Sequence, residues 1–172
     1  MTIDQGSKLI FPIDPYELKP DVYRFGTRVR SRYVLWARHL GDDIVAEPGT
    51  PVVAIGEGEV VWAEVRAGSQ EKRNWGGLVI VKHEKFYSLY GHITDIAVKV
   101  GEKVQTGQKL GEVAPGLTPE NGWWKIPHLH FAIYVGNWTG EILPGYKRFF
   151  DGRTKMAWWR DPKSFIENAN KA

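Results

Sequence analysis

The strongest constraint on this chain is a succession of short segments rich in β-branched residues, each closed by glycine or a charged turn. They read TPVVAIG, EGEVVWAEV, GGLVIVKHE, FYSLYGH, IAVKVGEKV, QKLGEV and HLHFAIYV. Several alternate, as Ile96, Val98 and Val100 do, and Val60 with Trp62. Alternation at period two sends one set of side chains to one sheet face. Short strands with turn signals between them predict an all-β fold of mainly antiparallel sheet, sandwich-like and with a groove. One helix is expected, at the C-terminal end. There DPKSFIENANKA opens with Asp-Pro, a cap residue followed by a first-turn proline.

Residues 1–10 read as a loose lead-in and residues 11–172 as a single domain. The stretch FPIDPYELKPDVYRFGTRVRS lacks a helical period and predicts extended chain with turns. Three segments break the strand rhythm. Residues 66–77, RAGSQEKRNWGG, form a polar loop, and residues 114–127 carry Trp123 and Trp124 directly into HLH. An insertion over 136–160 holds Trp138, Tyr146, Phe149, Phe150, Trp158 and Trp159. Loops this long in a compact domain are often functional.

Composition narrows the chemistry. The chain has no cysteine, which excludes disulfides, thiolate zinc sites and a cysteine nucleophile. Any metal must therefore be held by His, Asp or Glu. The formal net charge of +3 comes without a long Lys/Arg block, so no nucleic-acid partner is expected. No run approaches the ~20 apolar residues of a membrane span. The start, MTIDQGSKLI, lacks a basic region followed by an apolar one. The expected place of action is the cell envelope or the exterior if a signal is removed or bypassed, and otherwise the cytoplasm. A monomer is expected.

Four of the five histidines carry the site chemistry. In Pro127-His128-Leu129-His130-Phe131, strand geometry places both imidazoles on one face, ~7 Å apart. One metal can take one of them and leave the other for substrate; the plainer alternative is a surface strand with two solvated rings. Upstream, His39 precedes Asp43 by four residues, with Gly41 permitting a sharp turn between them. Two imidazoles and one carboxylate leave a fourth tetrahedral position open, the pattern of a catalytic zinc site. His92 follows a strand that ends at Gly91, and His83 reads as a hydrogen-bonded histidine beside a turn.

These fragments, in this order, resemble the lysostaphin-type or LytM-like metallopeptidases. The HxGxD motif appears as His39-Leu40-Gly41-Asp42-Asp43, and DIVAEPGTPVVAIGEGEVV matches the stretch that follows it. Tyr90-Gly91-His92, VKVGEKVQTGQKLGEV and PHLHF continue the match, and FGTR and DPKSFI flank it, so it covers roughly residues 11–166. The resemblance implies one Zn2+ held by His39, Asp43 and His130, with His92 and His128 as the catalytic pair. It implies an endopeptidase that hydrolyses peptide bonds of peptidoglycan stem peptides or cross-bridges through a metal-activated water. Trp123, Trp124 and Tyr90 are the candidate groove residues; the alternative for the tryptophans and the insertion is that they cover a satellite core. The 114–127 loop and the 136–160 insertion are bulkier than the family's usual connections, so the bond cleaved is not transferable from relatives.

Two other readings compete. A non-catalytic wall-binding or regulatory domain of the same fold would not need all five positions. A biotinyl, lipoyl or phosphotransferase domain shares the glycine turns of VKVGEKVQTGQKLGEV. A carrier needs a lysine in its modification motif at a hairpin tip, and no such motif is present. A phosphotransferase has no need of HxGxD converging with HLH.

Overall fold

The computed structural model describes residues 8–31 and 34–171. The strands among them are β1 (Arg28–Ser31), β2 (Val34–His39), β3 (Asp42–Val45), β4 (Pro51–Val53), β5 (Gly58–Arg66), β6 (Gly76–Lys82) and β7 (Tyr87–Gly91). They continue as β8 (Ile93–Thr94), β9 (Lys103–Val104), β10 (Lys109–Val113), β11 (His128–Tyr134), β12 (Tyr146–Arg148) and β13 (Trp159–Arg160). One α-helix, α1 (Pro162–Ala169), closes the chain. The fold is mostly antiparallel sheet with a short C-terminal helix.

The central sheet runs β13-β11-β7-β6-β5-β9, and β3 pairs with the N-terminal half of β11. Two smaller sheets, β1-β2-β12 and β4-β10-β8, pack around it. Both faces of the central sheet are covered, so β11 is buried throughout and β6 is buried up to Lys82, instead of alternating with solvent. Period two still sorts their side chains. Val79, Val81, Tyr90, Leu129, Phe131 and Ile133 enter one core, closed by Val52, Leu110 and Ile166. Leu78, Ile80, Leu89, Ala132 and Tyr134 enter a second core with Trp75, Leu143 and Trp159. Each such aliphatic or aromatic side chain contributes about 1.5–3 kcal/mol of burial. The histidines of β11 share the face of the second core.

The helix forms as its sequence predicts. The Asp161 side chain accepts from the Ser164 N–H at 2.9 Å, and Pro162 occupies the first turn. Ile166 is buried, and Phe165 meets Phe86 edge-on at 4.9 Å. At its end Asn170 exchanges two hydrogen bonds with the Leu9 backbone, at 3.0 and 2.8 Å. Residues 1–7 of the expected lead-in lie outside the described residues. Leu9 and Ile10, expected to be loose, are held, and the Ile10 N–H also donates to Ile55 O at 2.9 Å.

The alternating stretch Ile96–Val100 is not a strand. Its backbone gains only isolated bonds, such as Ala97 N–H to Leu110 O, before turning at Gly101, which has φ 88°. Val98 is buried while Val100 is 62% exposed, so period two here reflects a bend over the core edge. The 136–160 insertion is also more ordered than its composition suggests. It supplies β12, a 3-10 turn at Met156–Trp158 and β13.

Candidate functional site

Adjacent elements deliver the candidate ligands to one point. His39 ends β2, Asp43 lies in β3 and His130 in β11, and the register sets His130 directly opposite Asp43. Asp42 and Asp43 point to opposite faces of β3. Asp42 turns to the first core, where it accepts from the Tyr16 hydroxyl at 2.7 Å and the Phe25 N–H at 2.9 Å. Asp43 turns to the histidines. Its Oδ1 lies 3.2 Å from His39 Nε2, 3.1 Å from His130 Nδ1 and 3.9 Å from His128 Nε2.

Gly41 makes this convergence possible by proximity. Its φ is not left-handed, but a Cβ there would lie 2.3 Å from the Phe131 carbonyl oxygen and 2.8 Å from His130 Nε2. Only a residue without a side chain lets the β2–β3 turn sit flat on β11. The β12 strand of the insertion supports the same turn. Tyr146 pairs with His39, and the Leu40 N–H donates to Gly145 O at 3.0 Å.

His92 and His128 stand beside this cluster with ring centroids 4.5 Å apart. His92 adopts φ 64°, a left-handed conformation that costs a non-glycine residue on the order of 1 kcal/mol or more. The conformation ends β7 and carries the ring toward His128 instead of along the strand. Gly91 precedes it because Trp75 packs on that backbone, where a Cβ would lie 2.4 Å from the indole. Trp75 also meets His130 edge-on at 4.8 Å and donates to Leu143 O at 2.9 Å. Trp75 is therefore a central member of the site that the sequence reading left inside a polar loop. Its signal was an isolated tryptophan in RNWGG. Tyr23, whose ring is 5.5 Å from His39 and whose carbonyl accepts from the Asp43 N–H, was likewise missed.

Electrostatics and tautomers fit a cation ligand set. Burial pushes the Asp43 carboxyl up, but His39, His128 and His130 outweigh it and hold it well below the ordinary range. Burial pulls His39 down, and the Asp43 carboxylate reverses the shift, so His39 is raised overall. Burial lowers His130 to about 4 despite the Asp43 contact. Burial, reinforced by His128 and His130, holds His92 well below its ordinary value. His39 Nδ1 donates to Gly41 O at 2.5 Å, which leaves the Nε2 lone pair facing Asp43. His128 Nδ1 donates to Ile126 O at 2.7 Å, with the same effect on its Nε2.

Asp43 Oδ1 is buried and has no hydrogen-bond partner. The donor atoms of His39, Asp43 and His130 all lie within 4.8 Å of one another. Zinc with ligands at ~2.1 Å sets neighbouring donors ~3.4 Å apart in a tetrahedron, close to the 3.1 and 3.2 Å separations here. The residues thus fit zinc, and the unpartnered oxygen is what such an ion satisfies.

The site floors a cleft of about 1000 Å³. Lys72, Arg73, Trp124 and Lys125 line one side, and Asn137, Thr139 and Ile142–Gly145 of the insertion line another. Trp124 is therefore at the cleft, its ring 6.2 Å from that of His92. Trp123 does not line it. Tyr90 is a correction to the expected groove. It is fully buried in the first core, its hydroxyl accepts from the Ile55 N–H at 3.1 Å, and its register opposite Phe131 sends it away from the histidines. The insertion both lines the cleft and covers the second core, through Leu143 and Trp159.

Outside the cleft, His83 is buried beside a turn, as the sequence reading has it. Its Nδ1 donates to Glu57 O at 2.7 Å, and its Nε2 lies 2.8 Å from Ser88 Oγ, which is 2.9 Å from the Tyr90 hydroxyl. Since the His83 Nδ1–H is engaged by Glu57 O, its neutral Nε2 accepts from the Ser88 hydroxyl, and Ser88 Oγ in turn accepts from the Tyr90 hydroxyl. Every member of this chain is then satisfied.

Comparison with known proteins gives consistent matches. The profile of Peptidase family M23 matches residues 37–141. The peptidoglycan DD-endopeptidase ShyA of Vibrio cholerae is 34% identical over 134 residues, which is 77% of this chain and 26% of that protein. A lipoprotein NlpD/LppB homolog of Pseudomonas aeruginosa is 39% identical over 94 residues, covering 54% of this chain and 28% of the relative. The chain thus spans about a quarter of the length of these curated relatives. The catalytic domain of lysostaphin from Staphylococcus simulans aligns with a TM-score of 0.58 at 25% identity, over 84% of this chain and 90% of that one.

Proposed function

Since the chain belongs to Peptidase family M23, we propose that it is a zinc-dependent endopeptidase that hydrolyses peptide bonds in the stem peptides or cross-bridges of peptidoglycan. One observation carries the reading. A buried, unpartnered carboxylate oxygen faces two imidazole nitrogens at 3.1 and 3.2 Å, beside a second histidine pair opening on the same cleft. His39, Asp43 and His130 would hold one Zn2+. The chemistry supplied on zinc binding is Lewis-acid polarisation of a carbonyl and activation of water at neutral pH.

The chain's own residues do the rest. His128 Nε2 carries a lone pair toward the site, because its Nδ1–H is engaged by Ile126 O. It takes a proton from the attacking water as the oxygen adds to the carbonyl carbon. His92 Nδ1 is buried without a protein partner. Carrying the proton on that atom, it donates a hydrogen bond to the developing oxyanion. The proton on His128 then passes to the amine as the C–N bond breaks. Peptide bonds of the cell wall place this action in the envelope.

The test is the zinc content of purified protein together with chelator-sensitive release of new amines from defined muropeptides, followed by mass analysis. The expected result is one zinc per chain and a single class of cleaved bond. Folded protein that takes up no zinc, or that releases no amine when loaded, overturns the reading.

A further inference from the structure

The cleft is asymmetric in charge. The wall formed by residues 72–75 and 124–126 contributes Lys72, Arg73 and Lys125 to the lining and no carboxylate. The other segments mix signs: they contribute Asp21, Glu141 and Asp151 together with Arg148 and Arg153, and Arg153 is paired with Asp151 at 2.7 Å. Three cations on one wall beside the histidine pair form a field that selects for negative charge in whatever lies there.

This wall is built rigidly. The Asn74 N–H donates to Gly122 O at 3.3 Å and the Gly77 N–H to Glu120 O at 2.8 Å. The Trp124 indole donates to Asn74 O at 3.2 Å. Gly76 and Gly122, both left-handed, allow the two loops to touch, since a Cβ on either would lie 1.9 Å from a carbonyl oxygen of the other loop. On this platform the Arg73 guanidinium sits 4.9 Å from the Trp124 ring centre, and that ring is 6.2 Å from His92. A guanidinium over an aromatic face keeps N–H donors in a fork that matches a carboxylate. Two ring contacts separate it from the histidine pair, a span of roughly two to three residues of extended peptide at ~3.3–3.6 Å each.

We propose that Arg73, held over Trp124 and flanked by Lys72 and Lys125, is a carboxylate-binding subsite, and that the preferred substrate is a peptide carrying a free carboxylate two or three residues from the scissile bond. The inference rests on the endopeptidase reading and names the substrate class for that site. Its basis is a cation held over an aromatic ring on one side of the reacting centre. Binding there aligns the peptide along the cleft and lowers KM more than it raises kcat.

The experiment uses two peptidoglycan-derived peptides that differ only in that one carboxylate, free in one and a carboxamide in the other. Cleavage and binding are both measured. The zinc-loaded protein is expected to prefer the free acid by about 10-fold in kcat/KM, mainly through KM, and the preference shrinks in high salt. Arg73→Gln, and the double change Lys72→Gln with Lys125→Gln, erase the preference while leaving the carboxamide peptide within about twofold of wild type. Arg73→Lys retains part of it. Equal handling of both peptides by the wild type overturns the subsite, as does an equal loss on both in Arg73→Gln. If neither peptide is cut but the free acid still binds more tightly in an Arg73-dependent way, the subsite stands and the endopeptidase reading fails.

Discussion

Replacing Gly41 by alanine tests how the site is assembled. The added Cβ would lie 2.3 Å from the Phe131 carbonyl oxygen, 2.8 Å from His130 Nε2 and 3.0 Å from the Ala132 Cβ. A close carbon–oxygen contact needs ~3.3 Å, so the β2–β3 turn must lift from β11 by about 1 Å. The obstructing atom belongs to the sheet backbone and cannot rotate away. The cost therefore falls at the top of the ~1–3 kcal/mol range for overpacking. For a chain of this size that lowers Tm by about 6–12 °C. The same displacement separates His39 and Asp43 from His130. Zinc affinity is expected to fall ~10–100-fold, and turnover on a defined peptide ~100-fold. Gly152→Ala is the control, since nothing lies within 4 Å of its Cβ position, and its Tm should match the parent. Thermal melting and zinc titration of both variants decide the matter. A Gly41→Ala protein that melts with the parent and binds zinc as tightly would refute the claim that close approach is what requires glycine.

Trp75→Phe removes the indole donor to Leu143 O while keeping most of the ring. A loss of about 1–2 kcal/mol is expected in urea titration, with weaker activity because the ring also abuts His130; unchanged stability would count against that bond. Asp161→Ala removes the cap of α1 and should cost ~1 kcal/mol, against a few tenths for Asp161→Asn; equal Tm values for all three proteins would show the cap to be idle. For pH, burial holds the folded-state pKa of His83 below its ordinary 6.5. The unfolded chain then binds the extra proton first, so this contribution is complete above pH ~6.5 and is lost as pH falls toward the folded value. In metal-free protein, His83→Asn should flatten the acid-side fall in stability by at most about 1.4 kcal/mol per pH unit. Parallel pH profiles for parent and variant would refute it.

The sheet character was legible because the β-branched segments are short and punctuated, and the helix because Asp161-Pro162 caps it. The strand expected over Ile96–Val100 failed for a physical reason. Alternating burial also arises where chain crosses the edge of a core without a partner strand. Tyr90 failed through parity, since a strand buried on both faces gives no sign in its sequence of which face meets the cleft. Trp75 was hidden because a loop residue's neighbours are set by distant segments, here β11 and the insertion.

By itself the sequence determined the donor types, since a chain without cysteine can offer zinc only His, Asp or Glu. It also set the pairing of two imidazoles on one strand face, which period two enforces. The tertiary structure supplies the physical reason that Asp43 and not Asp42 faces the histidines, because the two are adjacent and the β3–β11 register turns one to the core and the other to the histidines. It likewise decided why Gly41 is glycine, through the carbonyl of a strand ninety residues away, and which wall of the cleft is cationic. Those choices depend on contacts between segments far apart in the chain, and local sequence does not encode distance.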